Sequence, residues 1–211
     1  MRILKQIAPQ KRNKSRYNLS DEEGFLTSLS VETVLRYHLK EGMELSDELL
    51  EEMKREDTVK YAKELGMAYV AYAPRTRHQL EQHLAKKGID AQSIEIAVQT
   101  MQRYSYLDDG AYVREFVRSY GGRLGIGAIR QKLAERGVDR QTLEENLEIT
   151  GEAQRAAAQA VAEKLRRKYA AEPEQKRRQK LFAALSRRGF SYDDIRAVLN
   201  PEDEAQDEEL F

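Results

Sequence analysis

Gly125-Ile-Gly-Ala-Ile-Arg-Gln-Lys-Leu-Ala-Glu-Arg-Gly-Val138 reads as a helix that carries its own stop. Ile129 and Leu133 stand one helical turn apart on one face, and Gly137 follows where a left-handed cap ends a helix. The same frame occurs twice more. Eight and four residues before Gly88 are Leu80 and Leu84, and the same steps back from Gly189 give Leu181 and Leu185. One residue after the glycines come Ile89, Val138 and Phe190; six and ten after come Ile94 and Val98, Leu143 and Leu147, Ile195 and Leu199. The residue before each glycine is basic: Lys87, Arg136, Arg188. The glycines are 49 and 52 residues apart, a spacing that predicts a helical array whose units bury their apolar stripes on one another.

Each unit reads as three helices. The first ends at an aromatic: Tyr61, Leu65, Tyr69 and Tyr72 before Pro74; Tyr112, Phe116 and Tyr120 before Gly121-Gly122; Val161, Leu165 and Tyr169 before Pro173. These leucines and tyrosines are expected to be core. The second helix carries the leucine pair and stops at the glycine, and cap chemistry alone accounts for all three glycines. The third begins after Asp90, Asp139 or Ser191, where Ser191 and Asp194 have the spacing of a capping box. Ahead of the array, Arg2 to Ile7, Arg16 to Leu19 and Phe25 to Leu29 read as two or three short antiparallel strands, with a hairpin turn at Ser20 to Gly24. Ser30 then caps a short helix through Val31, Val34, Leu35 and Leu39 that Gly42 ends, and Ser46-Asp47 starts the next. The expected fold is mostly α, an elongated array of three tandem three-helix repeats at residues 46–104, 105–150 and 151–200. A small N-terminal β-hairpin or sheet segment with a short helix precedes it at 1–45, and an acidic, disordered tail follows at 201–211.

Composition narrows the function. With 40% hydrophobic and 34% charged residues, the chain suits helices with one buried stripe and long solvated faces. Net charge is zero but segregated. The first 20 residues hold six Lys and Arg and no acid, Arg166 to Arg188 hold nine bases against Glu172 and Glu174, and Pro201 to Phe211 hold six acids and no base. There is no cysteine, which excludes disulfides, thiolate metal sites and cysteine nucleophiles. No apolar run reaches the roughly 20 residues a membrane helix needs, and no signal peptide is visible behind Arg2 and Lys5. The expected location is the cytoplasm.

Catalytic readings fail one by one. Gly121-Gly-Arg-Leu-Gly-Ile-Gly127 lacks the Gly-Lys-Ser/Thr ending of a phosphate loop and follows a helix, so it reads as a flexible link. His78 and His83 are on different helix faces, and His38 is remote from both. Asp108-Asp109 and Asp193-Asp194 fall where helices begin and read as caps. No nucleophile has a base beside it. The chain is expected not to be an enzyme and to need no cofactor or metal.

Basic residues recur around the second helix of each repeat instead. They are Arg75, Arg77, Lys86 and Lys87; Arg118, Arg123, Arg130, Lys132 and Arg136; and Arg177, Arg178, Lys180, Arg187 and Arg188. A regular rotation between repeats would line them along one side, able to track phosphates or an acidic protein groove. Base stacking is less expected, because the tyrosines fall mainly on the core stripe.

Several stretches resemble the RecX family, bacterial regulators of the RecA recombinase. Tyr72-Ala-Pro-Arg-Thr-Arg-His-Gln-Leu-Glu-Gln-His-Leu-Ala-Lys-Lys-Gly88 is similar to the first repeat, and Tyr106-Leu-Asp-Asp-Gly-Ala-Tyr-Val-Arg-Glu-Phe-Val117 to the link that follows. Gly125 to Val138 is similar to the second-repeat signature, and Leu181 to Leu199 matches the third more loosely. Arg16-Tyr-Asn-Leu19 and Lys40-Glu-Gly-Met43 resemble the N-terminal piece of longer members. The resemblance implies a monomeric array that binds the RecA–single-stranded DNA filament. It would modulate strand exchange, ATP hydrolysis and repressor cleavage, usually by inhibition, in recombination and the SOS DNA-repair response. It implies single-stranded DNA as a further partner, no membrane, and no catalytic site. The acids from Glu202 to Glu209 depart from this pattern and would repel phosphates. Two alternatives stay open: a direct DNA-binding module or transcription regulator that uses a recognition helix, and a helical scaffold with no nucleic-acid role.

Overall fold

Arg2–Ile3 (β1), Gln6–Pro9 (β2), Arg16–Ser20 (β3) and Phe25–Ser30 (β4) are too short to be stable as single hairpins. The computed structural model, which describes residues 1–11 and 13–199, pairs them into two antiparallel sheets. β2, β3 and β4 form one, in the register Ile7↔Leu19 and Tyr17↔Leu29. The Asp21 carboxylate holds the β3–β4 turn by accepting from the N–H groups of Glu23 and Gly24. The expected strand from Arg2 to Ile7 is split. Leu4 is buried and its N–H donates to the Met43 carbonyl, so β1 pairs instead with Glu44–Leu45 (β5). Sequence pattern did not reveal β5.

Helix α1, Val31–Arg36, starts at Ser30 as expected, with the Ser30 hydroxyl accepting from the Thr33 N–H. It does not run to Gly42. The backbone reverses at His38 (φ +49°), which returns buried Leu39 to the core, and Gly42 (φ +84°) turns the chain into β5. Leu4, Leu19, Leu29, Val34, Leu39, Leu45, Leu50 and Met53 form the core of this part. Beside it the buried Asp57 carboxylate accepts from the Ser30 N–H, the Thr33 hydroxyl and the Arg16 guanidinium.

Among the described residues nine further helices follow: α2 (Asp47–Tyr72), α3 (Arg77–Ala85), α4 (Ala91–Arg103), α5 (Asp109–Tyr120), α6 (Ile126–Ala134), α7 (Arg140–Asn146), α8 (Gly151–Lys168), α9 (Glu174–Ser186) and α10 (Tyr192–Leu199). Their starts are written in the sequence. Ser46, Asp90, Asp108, Asp139 and Thr150 each accept a backbone N–H three residues on. Ser191 and Asp194 cap each other reciprocally. The three repeated glycines sit at φ +79°, +77° and +78° after α3, α6 and α9. At these positions an L side chain would be strained, and the recurrence of one value reflects one turn built three times.

The chain forms two compact units. Of the described residues, one comprises Met1–Ala73 and Leu80–Tyr106; the other comprises Pro74–Gln79 and residues 107–199. In the first, α2 packs along α4, and Ala62, Leu80, Leu84, Ile94, Ala97, Val98 and Met101 are buried. In the second, Val113, Phe116, Ile129, Leu133, Val138 and Leu147 make one core, and Ala158, Val161, Leu165, Leu181, Leu185, Phe190, Ile195 and Val198 belong to another. The leucine positions of the repeat are therefore core. The tyrosines often are not: Tyr72 is 86% exposed and Tyr61 and Tyr120 are exposed as well. Tyr61 and Tyr120, each 40% exposed, keep most of their surface against the protein, whereas Tyr72, the last residue of α2, stands in solvent.

Candidate partner-binding surface

The surface is organised by the way successive repeats join. The N-terminus of α6 has no side-chain cap of its own, which leaves N–H groups that need partners. Repeat three supplies them. The Gly125 N–H donates to the Arg188 carbonyl (2.8 Å), the Ile126 N–H to the Gln154 side-chain oxygen (2.7 Å), and the Gly127 N–H to the Gly189 carbonyl (3.2 Å). The C-terminal turn of α9 thus abuts the start of α6, with the helix dipoles head to tail. A similar set of contacts recurs within the same unit, where Pro74–Gln79 meets the turn after α6. The Thr76 hydroxyl donates to the Arg136 carbonyl (2.6 Å), the Arg77 N–H donates to Asp109 (2.8 Å), and Thr76 with Gln79 forms a capping box. Burial, aided by the charges of Asp139 and Asp108, raises the Asp109 carboxyl above its ordinary value, against the Arg77 N–H that favours its ionised form.

This changes the reading of the glycines. A Cβ on Gly189 would overlap the backbone of Ala128, and one on Gly137 would overlap the His78 side chain. Cap geometry alone does not account for these two; they also permit close approach, of the start of α6 to the turn after α9 and of His78 to the turn after α6. Gly88 is different, since a Cβ there meets nothing within 4 Å. Nor is Gly121 to Gly127 simply a loose link. Gly125 is buried, and a Cβ on it would overlap the Gly189 carbonyl.

The joint also gathers charge. Arg123, Lys164 and Arg188 line a cleft of about 180 Å³ together with Gly122, Ala160, Val161 and Leu165, and among the described residues no acid lines it. Arg123 and Arg188 were visible in the repeat pattern. Lys164 was not, because it stands in the middle of α8, away from the second helix around which the pattern was read. The Arg123 guanidinium sits 5.4 Å from the ring centre of exposed Tyr120 and donates to the Ser119 carbonyl.

The other sequence-picked bases divide by their surroundings. Lys86, Lys87, Arg130, Lys132, Arg178 and Arg187 are exposed, while Arg75, Arg77, Arg136, Arg177 and Arg188 are half-buried. Arg136 lies over the Phe116 ring (5.0 Å) and donates to the Lys132 carbonyl. Arg118 pairs with Glu115 at 2.8 Å, and Lys180 pairs with Glu172, whose carboxyl the Lys180 and Lys176 ammonium groups hold below its ordinary value. Among the described residues no group of His, Cys, Asp or Glu could hold a metal ion, and no helix is long and apolar enough to cross a membrane.

Comparison with known proteins agrees with this architecture. Models of four RecX regions match: the N-terminal domain of regulatory protein RecX over residues 3–46, and the first, second and third three-helix domains over 62–101, 108–147 and 152–199. A regulatory protein RecX of Bacillus licheniformis is 28% identical over 99% of this chain and 80% of its own length. One from Streptococcus pneumoniae is 27% identical over 96% and 79%. A crystal structure of regulatory protein RecX aligns with a TM-score of 0.67 at 25% identity, covering 94% of this chain and 98% of that one. RecX from Lactobacillus salivarius aligns at 0.63 over 70% and 98% and supports the fold. With its N-terminal sheet, three three-helix domains and matching sequence models in that order, this chain belongs to the RecX family of regulatory proteins.

Proposed function

We propose that this protein regulates the RecA recombinase by binding the RecA–single-stranded DNA filament, with inhibition of recombination, ATP hydrolysis and the SOS response as the expected effect. The observation that carries the reading is the acid-free cleft at the joint of repeats two and three, where Arg123, Lys164 and Arg188 converge. Phosphate recognition needs several cations able to approach one anion, and a cleft without carboxylates avoids the competing repulsion. We assign further contacts to Arg130, Lys132 and Arg136 of repeat two and to Arg177, Arg178 and Arg187 of repeat three, the bases that recur around the second helix of each repeat. Arg75, Arg77, Lys86 and Lys87 are the corresponding bases of repeat one. Binding acts by preference: a regulator shifts the filament only as far as it favours one of the filament's states.

The exposed face of α7 does not favour duplex reading, since Arg140 is held by Glu144 and Gln141 by Glu145. The test is RecA ATP hydrolysis on single-stranded DNA, titrated with the wild-type chain and with Arg123→Glu/Lys164→Glu. The wild type should suppress turnover at far lower concentration than the variant. Equal suppression by both would remove the cleft from the contact surface, and no effect from either would remove the reading.

A further inference from the structure

One groove has no part in the joints. It lies between α9 and α10, has a volume of about 430 Å³, and is lined by Gln175, Arg178, Phe182, Tyr192, Arg196 and Leu199 among others. Phe182 and Tyr192 are 41% and 67% exposed and meet edge to face with centroids 6.2 Å apart. Two large rings standing in water beside two guanidinium groups make a surface with an apolar floor and a cationic rim. Among the described residues no acidic side chain lines it.

We propose that this groove is the docking site of the chain's own acidic segment, Pro201–Phe211. Position favours this occupant first, since Leu199, the last described residue, is itself part of the groove wall. Gln175 and Phe182 are seven residues apart on α9, roughly 10 Å along a helix, a length that about three to four extended residues cover. Chemistry favours it second. The segment carries Glu202, Asp203, Glu204, Asp207, Glu208 and Glu209, followed by Leu210 and Phe211. Carboxylates match Arg178 and Arg196, and the two apolar side chains match the exposed Phe182–Tyr192 pair. Tethering favours it third: a short linker presents the segment at an effective concentration of order millimolar, so even weak affinity fills the groove.

Docked there, the segment sets carboxylates against the basic face of α9 and competes with phosphates for Arg177 and Arg178. The docking does not depend on the nucleic-acid reading of this protein; the competition does, and the experiment separates them. The chain has no cysteine, so Gln206→Cys accepts a single nitroxide label on the full chain. Amides of Gln175 to Phe182 and of Tyr192 should lose most of their NMR intensity, beyond the loss that tethering alone imposes near Leu199. Arg178→Glu/Arg196→Glu should restore it, and so in part should 1 M salt, where the screening length falls to about 3 Å. Amides of α9 no more affected than those of α5, or unchanged by charge reversal, would overturn the docking. So would shifts of Phe182 and Tyr192 that appear only on adding oligo-dT, which would assign the groove to nucleic acid. In the second arm, a chain ending at Asn200 should bind oligo-dT several-fold more tightly than the full chain. Equal affinity would overturn the competition while leaving the docking to the label.

Discussion

Gly125→Ala probes the joint between repeats two and three without disturbing the backbone preferences of the site. Gly125 sits at φ −74° and ψ 158°, a conformation any residue adopts, so no strain arises from the alanine itself. Its Cβ would instead overlap the Gly189 carbonyl and the Phe190 nitrogen, both main-chain atoms that cannot rotate away. Relief requires α9 to withdraw from α6. That costs the Gly125–Arg188 and Gly127–Gly189 hydrogen bonds, about 0.5–1.5 kcal/mol each. Overpacking at what remains adds about 1–3 kcal/mol, so the expected loss is about 2–6 kcal/mol. Gly151→Ala is the control, because it opens α8 with nothing within 4 Å of its Cβ and should change stability by no more than about 1 kcal/mol. Hydrogen exchange reads the joint directly: amides of α6 and α9 should lose protection by the expected amount, while those of α1 and the sheet do not. A Gly125→Ala chain whose α6 amides exchange as slowly as wild type, with urea stability within about 0.5 kcal/mol, would refute the joint.

Other perturbations separate the remaining contributions. Alanine at Gly88 should cost about 1–2 kcal/mol for the left-handed conformation alone; at Gly137 and Gly189 it should cost more, because the Cβ also meets His78 or Ala128, and urea midpoints will rank them. Leu133→Ala removes a fully buried side chain from the repeat-two core and should cost about 2–5 kcal/mol by the same measurement. Burial acts to raise the Asp57 carboxyl, but hydrogen bonds from Ser30 and Thr33 and the charge of Arg16 outweigh it and hold the group below its ordinary value. Its stabilisation is therefore complete above about pH 4, the ordinary aspartate range, and is lost as pH falls through the lower folded-state value. Acid titration of sheet stability should show this loss in the wild type and not in Asp57→Asn. Arg123→Ala/Lys164→Ala should weaken binding to RecA-coated DNA and flatten its salt dependence by about one unit of slope per phosphate contact removed. An unchanged slope would place the contact elsewhere.

Local chemistry made most of this fold legible. The cap residues Ser30, Ser46, Asp90, Asp108, Asp139 and Ser191, and the glycines after α3, α6 and α9, act within a few residues of themselves, so their effects can be read along the chain. What escaped depends on partners distant in sequence. β5 exists because Leu4 turns inward and frees Arg2 and Ile3 to pair with it. The second role of Gly137 and Gly189 lies in the neighbouring repeat, which periodicity announces but does not position. Exposed Tyr61, Tyr72 and Tyr120 share the helical spacing of core residues, and spacing alone does not tell the edge of a stripe from its centre. For the candidate surface, recurrence identified Arg123 and Arg188, and only packing added Lys164.

Fluorescence anisotropy of the labelled chain against RecA-coated single-stranded DNA, bare single-stranded DNA and duplex, at matched salt, tests the proposed target most directly. The account predicts clear preference for the coated strand, weakened by Arg123→Ala/Lys164→Ala. Equal or tighter binding to bare strand or duplex would contradict it.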